Sequence, residues 1–428
     1  MSSNHSTQQK QTDSRPWAVF KHGDFNLLLT SGIAMVVSST LTILISGQWL
    51  YEETRSATQL GLLGAVHLVQ LPVALYGGTL ADSVDRKKLM ALTQSVSLMM
   101  LLALTILAWT DQLVPWHIFA VTGVSGIVGL LGGSARPAML PRVVPRPLLI
   151  HGVTTQNVTF QIATVAAPFI FWQMFESFGV TISFAVATVI ALVATIMPVM
   201  LRASGKPEGG SARAPLTSLK EGYAFVMGHQ LLPGLFLLDI GVTVVSYYRM
   251  LFPVFADHLY GLGASGTGLL SAANSIGAII GSSIVFLTNR VSRKGMLVLG
   301  ATLAYAILLL AFGLNTIFVI GLIIVAALGA MDSIGQTMRQ AVAQLTTPDK
   351  LLGRASGAHS FAAMAANNLG QIEVGILSAA VGAGTTMVIG GVISLMAVSV
   401  IWWLVPGIRR YKYDHTCLLY TSPSPRDS

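Results

Sequence analysis

Gly77-Gly78-Thr79-Leu80-Ala81-Asp82-Ser83-Val84-Asp85-Arg86-Lys87-Lys88 ends one long apolar run and, after a short burst of charge, releases the chain into another. The flanking runs, 59–81 and 89–110, are each long enough to cross a bilayer core, which takes about 20 residues. A connection this basic between two such runs is expected on the cytoplasmic side. Working outward, the pattern recurs along the chain. Further apolar runs cover 27–50, 117–140, 152–175, 179–201, 231–255, 266–288, 295–314, 316–338, 355–380 and 385–405. With no water in the hydrocarbon, each run must satisfy its own backbone groups, so each is predicted to be a helix. The expected fold class is therefore all-α and membrane-embedded, with twelve spans.

Composition agrees. Of 428 residues, 53% are hydrophobic and only 10% charged, with a mean hydropathy of +0.69. A soluble chain carries about 25% charge. This excludes a soluble enzyme, a disordered chain and a disulfide scaffold. The net charge of +8 does not point to nucleic acid, because its bases sit in short clusters between apolar runs. Lys10, Arg15 and Lys21 precede span 1, and Arg136, Arg142 and Arg146 surround the 4–5 connection. Arg202, Lys206, Arg213 and Lys220 lie in the middle, Arg290, Arg293 and Lys294 follow span 8, and Arg339, Lys350 and Arg354 surround the 10–11 connection. Arg409, Arg410 and Lys412 follow span 12. Only Arg55 and Arg249 are read on the opposite side. By the positive-inside rule both termini are expected in the cytoplasm. The seven tryptophans fall near span ends, as an interfacial belt requires. The sole cysteine, Cys417, lies in the tail, which disfavours thiolate-metal and redox chemistry.

The spans divide six and six. Residues 1–16 form a polar head, 17–201 and 231–412 the two six-helix bundles, and 202–230 a linker whose end, 218–230, is expected to be a short amphipathic helix. The halves also resemble each other. Arg136, Ala138, Pro145, Leu148 and Leu149 recur 203 positions later as Arg339, Ala341, Pro348, Leu351 and Leu352. Val84, Arg86 and Lys87 recur 207 positions later as Val291, Arg293 and Lys294. Two halves repeated in the same sense place a substrate site between them near the midplane. Residues 413–428 change character and are expected to be a read-through segment outside the fold, with an ordinary disordered terminus as the alternative.

The segment from Gly77 to Lys88, with Gly78 followed four positions on by Asp82 and then by Asp85, Arg86 and Lys87, resembles the loop 2–3 signature of the major facilitator superfamily. Its enterobactin-exporter-like branch is similar in this loop, in Arg136–Pro147, in Leu251–Phe255 and in Leu262–Gly268. The resemblance covers roughly residues 17–412. It implies that Gly78, Asp82, Asp85, Arg86 and Lys87, with Arg136 and Arg339, form a latch that holds one state and breaks as the halves rock. A simple positive-inside anchor is the alternative. Two departures stand out. Ala166-Ala167-Pro168-Phe169-Ile170 is bulkier than the superfamily's glycine-rich antiporter signature, and no base occupies Gly123–Gly133 in span 4. Proton-coupled export thus rests on the resemblance.

Charge at bilayer depth costs roughly 2.5–3.5 kcal/mol on insertion scales, so each such residue is a functional candidate. Asp239 lies among Leu237, Leu238 and Ile240 in span 7; desolvation there favours the protonated form, as a proton carrier needs, and a structural hydrogen bond is the alternative. Asp332, Gln336 and Arg339 share a face of span 10 and are expected to form an ion ladder closing the cytoplasmic end, the alternative being that Asp332 is a coupling residue. Glu373, with Asn367, Asn368 and Gln371, makes span 11 the most polar of the second half; Gln156, Asn157 and Gln161 play the comparable part in span 5. These amides are expected either to contact substrate or to join helices. His67, one turn from Gln70, is a coupling candidate or a satisfied core residue.

No phosphate loop, metal-ligand spacing or nucleophile motif occurs, so neither a cofactor nor a metal nor an enzymatic role is expected. The resemblance implies a monomeric secondary transporter in a bacterial inner membrane. Its partners would be a small amphipathic molecule such as a siderophore or drug, protons, and the surrounding lipid. An uncoupled or uptake permease is one rival. A non-transporting receptor or scaffold is another, disfavoured by loops too short for a soluble domain.

Overall fold

The computed structural model describes residues 16–73, 84–133, 135–206, 215–229, 231–287 and 293–410, and the secondary structure of these residues is helical. Gly77, Gly78 and Asp82, most of the second basic loop and the 413–428 tail lie outside the described residues.

The first half contains α1 (Gly23–Thr54), α2 (Ala57–Val69), α3 (Arg86–Trp109), α4 (Pro115–Gly132), α5 (Ala135–Val143) and α6 (Leu149–Val199). Helix α7 (Pro215–Gly228) lies in the linker. The second half contains α8 (Leu232–Thr243), α9 (Gly263–Leu287), α10 (Lys294–Leu314), α11 (Phe318–Thr346), α12 (Asp349–Val381) and α13 (Ala383–Leu404). Nine helices among the described residues are long and apolar enough to cross a membrane. One of these, Arg146–Val199, holds two of the expected spans. Helix α6 turns inside it at Gly179, where φ is 73° and ψ −175°. The equivalent turn in the second half falls at Gly382, φ 85°, between α12 and α13. The two glycines stand 203 positions apart, the offset already seen between the halves, and an L side chain would be strained at either.

Local chemistry fixes several boundaries. Asp85 caps α3, its carboxylate accepting from the backbone of Lys87 (3.0 Å) and Lys88 (3.4 Å), which satisfies donors that a helix start leaves orphaned. Ser56 caps α2 in the same way. The linker helix, expected over 218–230, runs Pro215–Gly228. It packs on α12, with Val226 buried in the core of the second half.

Two seams join the halves. Helix α2 runs along α12, and α6 along α9. Both depend on missing side chains. A Cβ added at Gly61 would come within 2.8 Å of the Gln371 carbonyl, and one at Gly375 within 2.6 Å of Gly61 itself. At Gly268 a Cβ would meet the Pro168 carbonyl at 3.0 Å, so the Ala166–Ile170 segment is where α6 receives α9. Small residues let helix backbones approach this closely and gain dispersion contact, which drives association in lipid. The core of the second half continues across the α2–α12 seam into Leu50, Tyr51, Ala57 and Leu60. The end of the bundle holding residues 48–57 and 257–268 is consequently shut. Opposite it lies the basic end, where Arg86–Lys88, Arg142 and Arg146 sit.

Candidate functional site

Between the halves lies a cavity of about 1100 Å³. It is lined from both sides: Met35, His67, Gln94, Arg136, Gln156, Asn157 and Phe160 from the first half, Tyr247, Arg249, Asn274, Asn367, Asn368 and Gln371 from the second. Toward the basic end it reaches Met90, Pro137 and Leu140. Toward the shut end it meets two links between the halves. Thr267 donates to Gln48 (2.7 Å), whose amide donates to Glu52 (2.8 Å), and Arg55 pairs with Asp257. Most of the wall is apolar, with amides and hydroxyls set into it, the usual make-up of a site for a small organic molecule.

The second half contributes a broken helix. After Thr243 the backbone leaves the α-helix, crosses Val244–Tyr247, and resumes as short 3-10, α and π turns over Tyr248–Leu259. The β-branched run Val242–Val245 and Pro253 both work against a continuous helix. Neighbours satisfy or shield the freed backbone. Ser246 donates to the Val242 carbonyl (2.6 Å), Tyr305 donates to the Ser246 carbonyl (3.1 Å), and Gly370 lets α12 close on the Thr243 and Val244 carbonyls. Irregular backbone is tolerated at membrane depth only where it is buried in protein or lines a cavity. Here the break turns Tyr247, Arg249 and Met250 to the cavity, while Tyr248 is buried and donates to Asn274 (2.6 Å).

Three expectations are corrected by this geometry. Arg249, read as a base on the far side of the membrane, lines the cavity and pairs with Asp332 (2.6 Å), because the break re-aims it inward. The ladder of Asp332, Gln336 and Arg339 does not form: Asp332 goes to Arg249, and Arg339 crosses to α8 and pairs with Asp239 (2.6 Å). Asp239 in turn is not an isolated carboxyl among leucines. Its side chain is 12% exposed and the Arg339 side chain 10%, so the two charges are buried together. His359, its ring tilted against that of Phe236 with centroids 4.6 Å apart, lies within electrostatic reach of both.

Other candidates disperse. His67 lines the cavity and its Nδ1 has no partner; Gln70 donates to the carbonyls of Thr122 and Gly123 and joins α2 to α4. Gln161 lies outside the lining, four residues and about 40° of helical rotation from Asn157, on an exposed face beside Ile162. Glu373 is also outside it, half-buried, with Oε2 unpartnered. In the basic loop, Asp85 serves as a helix cap and Lys87 donates to the Leu201 carbonyl (2.5 Å), while the backbone N–H of Arg86 donates to the Gly205 carbonyl (2.9 Å). These contacts bind the end of α6 to the start of α3 within one half.

Arg136 is 5% exposed and reaches into α1. It donates to the Leu28 carbonyl (2.7 Å) and to Ser31 Oγ (3.1 Å), and its Nε has no partner. The Gln94 amide, turned to satisfy both of its ends, accepts from Arg136 at 2.7 Å and donates to the Ala194 carbonyl. No carboxylate is among these partners. Sequence reading missed this neutral nest, as it missed the Gln48–Thr267 link and the cavity role of Arg249. The one available signal was the helix-breaking pattern around Tyr247.

Comparison with known proteins agrees with this architecture. The family described as transmembrane secretion effector matches residues 14–416. The chain is 27% identical over 330 residues to the enterobactin exporter EntS of Escherichia coli O81 (strain ED1a), covering 76% of this chain and 78% of that one. Among solved structures, the nucleoside transporter NupG superposes with a TM-score of 0.72 at 11% identity, covering 89% of this chain and 99% of that chain. A bacterial homologue of the human lysosomal transporter Spinster, in an inward-facing and unoccupied conformation, gives 0.68 at 14% identity, covering 92% and 99%. At such identities the likeness is one of fold.

Proposed function

The chain belongs to the transmembrane secretion effector family of the major facilitator superfamily, and from that premise we propose that it exports a small amphipathic organic molecule across a bacterial inner membrane by alternating access. The single observation that carries this reading is the cavity between two matched halves, shut at one end by glycine packing and reaching toward the basic end at the other. In the proposal the halves contain twelve spans, both termini are cytoplasmic, and the described state faces inward. The halves then rock about the 202–230 linker: the Gly61–Gly375 and Gly268–Pro168 seams part, and the basic end closes through the loop from Gly78 to Lys87 with Arg136 and Arg339. A siderophore is the favoured substrate class because a relative similar in sequence over three quarters of the chain is described as an enterobactin exporter.

Proton coupling is part of the proposal, and the Asp239–Arg339 and Asp332–Arg249 pairs support it. A carboxylate that exchanges an arginine for a proton changes the balance between two packings, which is what coupling requires. Asp332 is the stronger of the two carriers, since its partner faces the cavity; Glu373 and His67 are secondary. Everted vesicles from cells expressing the chain test the reading, with enterobactin as cargo and respiration as the energy source. The expected result is accumulation that an uncoupler abolishes and that Asp332→Asn reduces at least ten-fold. Accumulation untouched by the uncoupler would leave an uncoupled permease, and no accumulation of enterobactin or of an amphipathic drug panel would reject export.

A further inference from the structure

The cavity has an unbalanced charge. Among its described lining residues the arginines are Arg136 and Arg249, and none is an aspartate or glutamate. Arg249 is balanced by Asp332 just behind it. Among the described residues Arg136 has no counter-charge: its contacts are a carbonyl, a hydroxyl, an amide and the Met35 sulfur (3.8 Å), and its buried Nε–H is unfilled. A guanidinium buried without a counter-charge pays a desolvation penalty that neutral acceptors only partly offset.

The other half shows what is missing. Arg339, the repeat counterpart of Arg136, takes its carboxylate from Asp239 in α8. At the 207-position offset the counterpart of Asp239 is Gly32 in α1. The correspondence is spatial as well: a Cβ placed on Gly32 would stand 3.0 Å from an Arg136 terminal nitrogen. At this pair of positions the first half therefore keeps the cation, and glycine stands in place of the anion. The rim of Phe160 fills the space beside Gly32, and the arginine remains in the cavity wall. Gly129, also in the wall, has nothing within 4 Å of where its Cβ would be, which leaves room for the body of a ligand.

We propose that Arg136 is the docking point for an anionic oxygen group, a carboxylate, sulfonate or phosphate, on the transported molecule. The ligand supplies the counter-charge that Asp239 supplies in the other half, and its apolar body lies against Phe160 and Met35. A planar guanidinium in the cavity wall matches such a group geometrically and holds it more strongly than a neutral one. This rests on the transport reading for its biological meaning, but the site itself is testable by binding alone.

The test uses the full chain purified in detergent and two soluble probes of one shape, 1-naphthalenesulfonate and uncharged 1-naphthalenesulfonamide, titrated by calorimetry. The expected result is a preference of about ten-fold or more for the sulfonate, lost in Arg136→Gln through weaker sulfonate binding alone and largely kept in Arg136→Lys and in Arg146→Gln. Should Arg136→Gln not fold, Gly32→Asp/Phe160→Ala measured against Phe160→Ala reads the same quantity, because the new carboxylate occupies the arginine and removes the preference. Equal binding of the two probes by the native chain, or equal losses for both in Arg136→Gln, would overturn the proposal. An Arg136-dependent preference without export in vesicles would leave the anion site standing and remove the transport reading; export without the preference would do the reverse.

Discussion

Two arginines at equivalent places in the two halves have been given opposite surroundings. Arg339 is buried against Asp239, outside the cavity wall, and the pair ties α11 to α8. Arg136 is buried against carbonyl, hydroxyl and amide oxygens, in the cavity wall, with Gly32 where the carboxylate would be. A duplicated architecture has thus kept one copy as an internal tie and left the other without a carboxylate at the cavity wall. Symmetric backbones do not oblige symmetric chemistry, and the residues that differ between the halves are where function can reside.

The largest expected effect comes from breaking the tie. Asp239→Asn leaves Arg339 buried without its partner and should destabilise the protein by about 3–5 kcal/mol. Thermal unfolding in detergent reads this, and Asp239→Asn/Arg339→Gln should recover most of the loss. Arg136→Gln should cost clearly less than Asp239→Asn, since it removes a charge that had no counter-ion; equal costs would erase the contrast between the halves. Next in size is the attempt to make the halves alike. In a Gly32→Asp/Phe160→Ala background, Arg136→Gln should become more damaging than in the native chain, with a coupling of about 0.5–3 kcal/mol in a double-mutant cycle. No coupling would mean that the Gly32 position does not face the arginine. The smallest effect belongs to the pair at the shut end. Arg55 and Asp257 have side chains 57% and 28% exposed, so Arg55→Ala should shift stability by less than about 1 kcal/mol in the same assay.

Much of the architecture could be read from the amino acids, because it follows from one physical demand. Lipid forces apolar runs into helices that close their own backbone hydrogen bonds. The repeat was readable from short matches such as Arg136 and Arg339, and the turns at Gly179 and Gly382 now extend it. The amide-bearing faces of spans 5 and 11 do meet one cavity, at Gln156, Asn157, Asn367, Asn368 and Gln371. Ion pairing was not readable. Spacing along α11 suggested that Asp332 and Arg339 act together, but a helix shows only which side chains share a face and not which neighbour arrives there. The partner of each came from α8 or the broken segment after it, and that break decided where Arg249 pointed. The neutral surroundings of Arg136 were equally invisible, since Leu28, Ser31, Gln94 and Ala194 converge only when α1, α3 and α6 pack.

The central claim is that the two halves rock about a shared cavity, so that closure at one end and opening at the other are a single motion. Pairwise spin-label distances test it most directly, with Cys417→Ser as the background, one pair at Glu53 and Leu262 across the shut end and another at Arg146 and Leu345 across the basic end. On cycling between a substrate-free and an energised, cargo-loaded membrane, the first distance should lengthen as the second shortens. Distances that stay fixed, or that change in the same direction at both ends, would contradict the account.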